Sequence, residues 1–571
     1  MFNVRDHHTI RLFDPWSHLG PKRRNLLEKS WSGLFRKHLL KEIPVNKIVQ
    51  HFAEGMGRPT KEIFTVIGAL LLQQMQDLSD QDVTESIAFD SKWHYALDIT
   101  DESDNDKYIC ERTLRHYRKI LIEEGLDSIL FEKLTDTLIK KFDVDTSKQR
   151  IDSTHIRSNM RNLSRISLFT VTIKKFLKTL KRTNSELFDS LIDSEFALRY
   201  IEKESGGCFS KVKPSEAAKS LQQVAEDILY LVELFSSNEK IKNLSSYSLL
   251  KRLLNEQCRV VDKKVEIKKP KEVPSDSLQN PSDPDATYDG YKGQGYQIQM
   301  METYKEIEKD GNPDKSKPNL ITYVDVEPAH EDDSDAIQPA IDNTLSRGCA
   351  PEELQCDAKY GSDENVQKAK EKGVTVIAPT MGPKESPKVA LKDFTFDDET
   401  GLIKNCPEGH KPQRITKTGS NNFTARFSKE HCEVCLRRDK CPIKFRKKFT
   451  YVQYTEKQLR LAIRRKYEDT SEFRDKFRWR AGIEGTNSHY KSDTGAARLR
   501  VRGLARVHFS AVLKALGLNI LRSARALSFT LWSNFIRIFV LKTKFRTVKS
   551  SLHPLFKYYL SKNNKIYVFT L

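Results

Sequence analysis

The chain has 571 residues, which is too long for one compact core, so we expect three or more structural units. It carries 97 Lys and Arg against 78 Asp and Glu, a net charge of +19 and a sequence pI of about 9.3. Such an excess of positive charge favours a polyanionic partner. Its start, MFNVRDHHTIRLF, lacks the apolar run of a signal peptide or membrane anchor, so we expect a cytoplasmic protein that binds nucleic acid rather than a membrane.

Two further features of composition bear on the compartment. The most apolar late stretch, ALSFTLWSNFIRIFVL, is interrupted by Arg537 and is short for a membrane span, which indicates a buried or amphipathic helix. The nine Cys fit a reducing compartment, where clustered thiols indicate metal binding before disulfides.

Residues from about 20 to 125 predict a compact helical unit. GRPT at 57–60 separates two helices, and Ser79 is the expected cap of QDVTESIAFDSKWHYAL, which we interpret as one helix. The later helix ICERTLRHYRKILIEEG is strongly basic, and we expect it to lie along DNA, with a solvated helix surface as the alternative. Its basic residues are Arg112, Arg115, His116, Arg118 and Lys119.

Extended patterns follow the helical unit. KQRIDSTHIRSNM predicts a short strand that ends at Asp152, and LQCDAKYGSDENVQKAKEKG predicts a strand that ends near Asp357, then a turn and a helix. Further strands are predicted for GYQIQMMETY, NLITYVDVEP and TVIAPT, and a helix for SDAIQPAIDNTL. A carboxylate at a strand end is a suitable position for a metal ligand.

A long segment separates the first strand from the others. Residues from about 164 to 260 have apolar side chains at helical spacing and predict several packed helices without a catalytic group. The Lys-, Pro-, Ser- and Asp-rich stretch KKPKEVPSDSLQNPSDPDATYDG after them predicts an exposed linker.

The segment FRWRAGIEGTNSHYK at 477–491 carries functional side chains at helical spacing. Arg480 precedes Glu484 by four residues, Phe477 precedes it by seven and Lys491 follows it by seven, so one helix would present all four on one face. The basic run that follows suggests a phosphodiester partner, and it contains Arg498, Arg500 and Arg502. The alternative is an ordinary ion pair on a solvated helix, worth about 0.2 to 0.5 kcal/mol.

Asp152, Asp357 and Glu484 together suggest a site for divalent cations. Mg²⁺ takes oxygen ligands and binds few protein carboxylates, with water and phosphate completing its octahedron. Two such ions can activate a water or hydroxyl and stabilise the leaving oxygen of an in-line displacement. The runner-up for Asp357 is Asp363, but the strand-end position favours Asp357.

A cluster of cysteines lies between Asp357 and Glu484. Cys406, Cys432, Cys435 and Cys441 are the natural ligand set for a tetrahedral zinc ion, and His410 could replace one of them. Because the spacing is irregular and holds a single Cys-x-x-Cys pair, reduced structural thiols are the alternative.

The chain resembles the bacterial insertion-sequence transposases of the DDE class over most of its length. The resemblance is carried by GRPT with LLLQQMQDLSDQDV, RIDSTHIRSN, DPDATYDGYKGQGYQ, QCDAKYGSDENV and the 477–491 segment. One branch of these enzymes has the signature Tyr-x-x-Arg-x-x-x-Glu-x-x-x-x-x-x-Lys, which Arg480, Glu484 and Lys491 match. Phe477 occupies the position of the Tyr in this signature, so the side chain here lacks the Tyr hydroxyl.

The resemblance implies an α/β ribonuclease-H-like catalytic core with an all-helical N-terminal domain, a helical insertion and a Cys-rich insertion. It makes Asp152, Asp357 and Glu484 the ligands of two Mg²⁺ or Mn²⁺ ions, with Arg480 and Lys491 on the transposon-end DNA near the reacting phosphate. Further DNA contacts are expected from Phe477, Arg498, Arg500 and Arg502. The expected organisation is an N-terminal domain for DNA-end binding at 1–145, a core at 146–163, 285–400 and 465–525, a helical insertion with its linker at 164–284, a Cys-rich insertion at 401–464 and a basic, aromatic tail at 526–571.

The implied function is that of a transposase, which binds the terminal inverted repeats of its element, cleaves at the ends and transfers the 3′ hydroxyls to target DNA. Its partners would be double-stranded DNA and further copies of itself, as a dimer or larger synaptic complex, in the bacterial cytoplasm and on the nucleoid. The alternatives are a catalytically inactive DNA-binding relative and a metal-dependent nuclease without strand transfer.

Overall fold

The structure is a computed structural model that describes residues 2–9, 11–52, 59–202, 213–306, 314–382, 388–397, 400–419 and 421–529. The predicted tail at 530–571, which includes Arg537, lies outside the described residues, as does the first half of GRPT.

The N-terminal part is helical, as predicted. Ser79 caps one helix with a capping box to Asp82. The stretch QDVTESIAFDSKWHYAL forms two helices rather than one, because the carboxylate of Asp90 accepts the amide of Lys92 and starts a new helix. The helices are α1 Pro21–Glu28, α2 Trp31–Leu34, α3 Asn46–Val49, α4 Ile63–Gln76, α5 Asp80–Phe89, α6 Ser91–Ala96, α7 Asp104–Lys107, α8 Glu111–Glu123 and α9 Leu126–Phe142.

The basic helix predicted to lie along DNA is α8, and part of its charge is used within the protein. Arg118 donates to Asp80 and to the amide oxygen of Gln73, and Arg115 pairs with Glu111 and Asp80. These two guanidiniums therefore fasten α8 to α4 and α5.

A mixed sheet follows the N-terminal helices. Its first strand pairs antiparallel with one neighbour over its whole length and parallel with the other only at Lys148, Gln149 and Arg150. The strands are β1 Lys148–Ile156, β4 Thr287–Asp289, β5 Gly293–Thr303, β6 Ile321–Pro328, β7 Glu353–Gln355 and β8 Thr375–Ile377. Their order is β6-β5-β1-β7-β8, with β6, β5 and β1 antiparallel, β1, β7 and β8 parallel, and β4 extending the β5 edge.

The prediction that Asp152 ends a strand was wrong, because β1 continues to Ile156 through antiparallel pairing with β5. Asp152 lies instead just past Arg150, where the pairing with β7 stops. The β7 side of β1 is therefore open from this residue onward, apart from an isolated bridge between Arg157 and Arg498. Asp357 does follow the end of β7, as predicted.

Apolar layers cover both faces of the sheet. On one face, Ile298 and Met300 of β5 join the N-terminal helices and the long helix α22 Leu504–Phe529 in one core. On the other, Ile151 and Met301 pack against α16 Ile337–Ser346, close to α17 Asp363–Glu371. In the described chain α22 is the one helix long and apolar enough to cross a membrane, and 72% of its most apolar window is buried inside the protein.

The region between β1 and β4 has its own apolar core, as its amphipathic pattern predicted. The linker after it is not exposed throughout, because Leu278 and Asp283 are fully buried and Asp283 accepts the hydroxyl of Tyr296. Its elements are α10 Arg165–Thr183, α11 Ser185–Leu191, α12 Ser194–Ala197, α13 Ala217–Leu234, α14 Glu239–Lys242, α15 Ser245–Gln257, β2 Cys258–Val261 and β3 Lys264–Ile267.

The Cys-rich region forms a small unit of antiparallel strands, with a core around Phe394 and Phe427. Its elements are β9 Thr395–Phe396, β10 Ile403–Asn405, β11 Arg414–Thr418, β12 Asn422–Phe427, α18 Lys429–Glu433, β13 Lys444–Phe445 and β14 Thr450–Thr455. The chain then returns to the sheet through α19 Glu456–Glu468, α20 Ser471–Phe477 and α21 Gly482–Asp493.

A buried carboxylate joins the sheet to these last helices. Glu302 of β5 is fully buried, and its two oxygens accept from Arg150 of β1 at 2.6 Å and Arg522 of α22 at 2.9 Å. Thr486 of α21 donates its hydroxyl to the same carboxylate at 2.7 Å and accepts from Arg522. The carboxylate of Glu302 therefore joins four elements, which are β5, β1, α21 and α22.

We predict that Glu302→Gln destabilises the protein strongly, because it leaves the buried guanidinium of Arg150 and the partly buried one of Arg522 without their counter-charge. Breaking a buried pair costs about 3 to 5 kcal/mol. Urea unfolding measures the loss. The matched control is Glu239→Gln, whose partner Lys242 lies beside it on the surface and whose loss should cost less than about 1 kcal/mol. Equal stabilities of the two variants would contradict the role of Glu302.

A second prediction concerns pH. Burial alone lowers the pKa of His508 in α22, but hydrogen bonds to Asp127 of α9 and Asp325 of β6 outweigh it and raise the pKa to about 9. A raised folded-state pKa gives a stabilisation that is complete below the unfolded value of about 6.5 and disappears as the pH rises through about 9.

The expected result is that His508→Gln lowers Tm at pH 6 and that the difference from wild type shrinks by pH 9.5. The stabilisation should be on the order of 2 kcal/mol. His489→Gln is the control, because His489 pairs with Asp493 on an exposed face of α21. A constant difference in Tm across this pH range would contradict the assignment.

Candidate active site

The three acids predicted as metal ligands come from three different elements. Asp152 lies in the middle of β1, Asp357 lies two residues after β7, and Glu484 lies in the first turn of α21. Because β1 lacks a strand partner on its β7 side from Ile151 onward, α21 packs against this part of β1. The open side of one strand therefore gathers residues that are far apart in the sequence.

Arg480 connects all three acids. Its Nη2 lies 3.2 Å from Oδ1 of Asp152 and 3.7 Å from Oδ2 of Asp357, and its Nη1 lies 3.9 Å from Oε1 of Glu484. Three carboxylates that converge on one cation form a centre of negative charge. The structure thus brings the predicted triad together, and it places Arg480 among the acids.

The acids differ in exposure. The Asp152 side chain is 15% exposed, against 47% for Asp357 and 69% for Glu484. Burial raises the pKa of Asp152, the Arg480 charge opposes this, and the Asp357 charge adds to it. Asn487, one turn after Glu484, donates to Oδ2 of Asp152 at 3.4 Å. Sequence reasoning missed Asn487, although its spacing of three residues from Glu484 places it on the same helix face.

The segment 477–491 is not one regular helix, contrary to the prediction. α20 ends at Phe477, a 3-10 turn spans Arg478–Ala481, and α21 begins at Gly482. The cause is Arg150, whose guanidinium donates to the carbonyl of Trp479 and lies against Gly482, where a Cβ would collide with it. Arg480 therefore sits on a tight turn, but it still reaches Glu484 four residues later.

Asp363, the runner-up for the second acid, has a structural role. It begins α17, is buried, and accepts both Nε and Nη2 of Arg460 at 3.1 and 2.7 Å. Its carboxylate is occupied by that bidentate pair, so the geometry favours Asp357.

Lys491 lies two turns after Glu484, next to other positive groups. Burial lowers its pKa, and repulsion from Lys292 lowers it further. Lys292 follows β4 and reaches the hydroxyl of Ser153, the neighbour of Asp152, at 3.4 Å. Both lysines also lower the pKa of His155, which burial depresses first. Lys292 lies within the motif DPDATYDGYKGQGYQ, but its place beside β1 was not predicted, because the β4–β5 turn brings it there.

The other side chains predicted to bind DNA occupy two places. Phe477 stacks on Phe473 with ring centroids 5.3 Å apart, so it packs within the protein. The basic run after α21 is extended and alternates exposed arginines with less exposed Leu499 and Val501. Of these arginines, Arg500 pairs with Asp77, and Arg502 donates to the carbonyl of Asn159, while Arg498 lines a cavity beside Arg157.

The triad suits a divalent cation in its donor atoms, which are carboxylate oxygens that already converge on a positive charge. Within the ranges that the structure describes, no three His, Cys, Asp or Glu side chains form a group that could hold a metal ion. In this conformation the guanidinium of Arg480 bridges the acids, so an ion would take over contacts that Arg480 now makes.

The four predicted zinc ligands line one small cavity of about 30 Å³, together with His410 and His431. Burial raises the pKa of Cys432 and of Cys441, and the neighbouring thiols raise both further. The described cysteines are free thiols. The fold therefore collects Cys406, Cys432, Cys435 and Cys441 around one space, although they do not form a closed metal group in this conformation.

Comparison with known proteins gives a match of part of the chain to a family model and a distant likeness to solved structures. A search of curated proteins finds no match. A solved structure of a piggyBac transposase synaptic complex with hairpin DNA is similar to this chain, with 10% sequence identity and a TM-score of 0.28. The likeness covers 93% of this chain and 82% of that chain. Residues 405–524 match the family model of a transposase DDE domain, and they contain Glu484, Arg480, Lys491 and the four clustered cysteines.

Proposed function

We propose that the protein is a DNA transposase of the DDE class, in which Asp152, Asp357 and Glu484 are the catalytic acids. The observation that carries the proposal is the convergence of the three acids on Arg480, from elements separated by long stretches of chain. The match of 405–524 to a transposase DDE domain supports it independently, because that match covers Glu484. The strand order β6-β5-β1-β7-β8 supports a ribonuclease-H-like core.

The proposed chemistry is cleavage at the ends of the element and transfer of the 3′ hydroxyls to target DNA. Two Mg²⁺ or Mn²⁺ ions, when bound, would supply activation of the attacking hydroxyl and stabilisation of the leaving oxygen. The acids would hold these ions, and Asn487 and Arg480 would orient Asp152. Lys491 and Lys292 would place positive charge beside the scissile phosphate.

The proposed partners are double-stranded DNA, as transposon ends and target, and further copies of the chain in a dimeric or larger synaptic complex. A net charge of +19 supports a polyanionic partner. We place this activity in the bacterial cytoplasm, on the nucleoid when the protein is bound to DNA.

We predict that Asp152→Asn, Asp357→Asn and Glu484→Gln each abolish end cleavage and leave DNA binding largely intact, because each removes a charged oxygen ligand without changing shape. The assay uses Mg²⁺ with a duplex taken from the DNA that flanks the coding sequence. Asp363→Asn is the control, since its carboxylate pairs with Arg460 away from the triad, and it should retain cleavage. Near-wild-type cleavage by any of the three variants would refute the assignment.

A pre-cut end in the same assay separates the proposed transposase from the two alternatives. Joining of the free 3′ hydroxyl to a target duplex supports a transposase. Hydrolysis without joining would identify a nuclease, and binding without either reaction would identify an inactive DNA-binding relative.

We also propose that Cys406, Cys432, Cys435 and Cys441 hold a structural zinc ion, supported by their position around one cavity. Elemental analysis of the purified protein should find one zinc per chain, and Cys432→Ser should remove it. Cys110→Ser is the control, because Cys110 lies apart in the N-terminal helices and bonds Thr113. A zinc content that is nil, or equal in wild type and Cys432→Ser, would exclude the site.

A further inference from the structure

A second basic site lies beyond the triad, at the end of β1. Here the chain leaves the strand and bonds to the segment that follows α21: the amide of Arg157 donates to the carbonyl of Ala497 at 3.1 Å, and that of Leu499 donates to the carbonyl of Arg157 at 2.7 Å. The two segments border a cavity of about 290 Å³. Its lining residues are Arg157, Ser158, Met160, Arg161, Asn162 and Arg498.

The charged residues that line this arginine cavity are all positive. Arg157, Arg161 and Arg498 contribute three guanidiniums, and no acidic side chain is among the lining residues. The three side chains are exposed, so a ligand can reach them from solvent. Two other arginines differ in this respect, because Arg480 pairs with the triad and Arg500 pairs with Asp77. A guanidinium fork matches the oxygens of a phosphate in a bidentate geometry.

A buried hydroxyl in the same lining also points to a ligand. Ser158 is 1% exposed, and its Oγ has no hydrogen-bond partner among the residues that the structure describes. A buried polar atom without a partner costs free energy unless something bonds to it. An oxygen-rich anion in the cavity would accept from Ser158 and from the amide of Asn162, as well as from the guanidiniums.

We propose that the arginine cavity binds the DNA backbone, holding one or two phosphates of the strand whose scissile phosphate lies at the triad. This inference rests on the proposed function. Arg157 follows Asp152 by five residues of continuous extended chain, which is about 16 Å at the rise of a β-strand. That distance corresponds to roughly five base pairs of DNA along the helix axis. The cavity thus fixes the register of the strand in the active site, and its arginines are binding residues, not catalytic ones.

The first test is the salt dependence of DNA binding, measured by the fluorescence anisotropy of a labelled duplex of mixed sequence. Each phosphate contact contributes about 0.9 to the slope of log K against log salt concentration. The double variant Arg157→Gln, Arg161→Gln should reduce that slope by about 1 to 2 and weaken binding at low salt roughly tenfold. Arg182→Gln is the control for loss of an arginine elsewhere and should leave the slope unchanged, because Arg182 is exposed at the end of α10, in the helical region with its own core.

The second test locates the contact on the DNA. Single phosphates of the pre-cut end are replaced by neutral methylphosphonates, one position at a time. For the wild type, binding should weaken at one or two positions about five base pairs from the cleavage site. In the double variant the same substitutions should have no further effect, because the guanidiniums that contact those phosphates are gone.

Two results would overturn the proposal. If the double variant has the same salt slope as Arg182→Gln, or keeps the wild-type methylphosphonate pattern, the cavity does not bind the backbone, and the triad assignment remains intact. If the wild type binds no DNA at all, both this proposal and the proposed function fail. If the cavity binds an acidic protein instead of DNA, the double variant should have the same salt slope as Arg182→Gln.

Discussion

The rest of the structure depends on the ion pairs that the buried carboxylate of Glu302 makes with Arg150 and Arg522. A full charge inside a core is stable only when it is paired, and Glu302 is paired from three directions by Arg150, Arg522 and Thr486. The same Arg150 reaches on to Trp479 and lies against Gly482, where it separates the 3-10 turn from α21. One ionic network therefore sets the position of the helix that carries Glu484 and of the turn that carries Arg480. The three acids proposed as catalytic are thus positioned by a buried ionic network that lies outside the triad itself.

Arg480 reduces the electrostatic repulsion among the three acids, because it lies between them. Three carboxylates near one another repel, and a guanidinium at their centre lowers the energy of the site without a bound ion. Asp152 is the most buried of the three acids and needs this compensation most, since burial raises its pKa. A residue that the sequence pattern suggests for DNA contact thus also serves as an internal counter-charge.

Local patterns predicted much of this arrangement. The cap at Ser79, the strands that became β5 and β6, and the choice of the three acids all follow from residue types at short range. The structure contains the cap and both strands, and it brings the three acids around Arg480. The failures have a different origin. The position of Asp152 within β1 depends on pairing with β5, more than a hundred residues later, and the break before Gly482 depends on Arg150. The approach of Lys292 to β1 and the arginine cavity likewise arise only where distant segments meet, and periodicity within one segment does not predict such contacts.

The location of α22 has a consequence for biosynthesis. This helix lies in the core between the N-terminal helices and one face of the sheet, where Val512, Leu516 and Ile520 are fully or almost fully buried. Everything it covers leaves the ribosome earlier. The apolar surfaces of α4 and β5 therefore stay exposed until more than two hundred further residues have been synthesised and α22 can pack against them. A nascent or prematurely terminated chain would keep that surface in water, so the molecule's most apolar faces are also those most dependent on complete translation and on protection from aggregation until then.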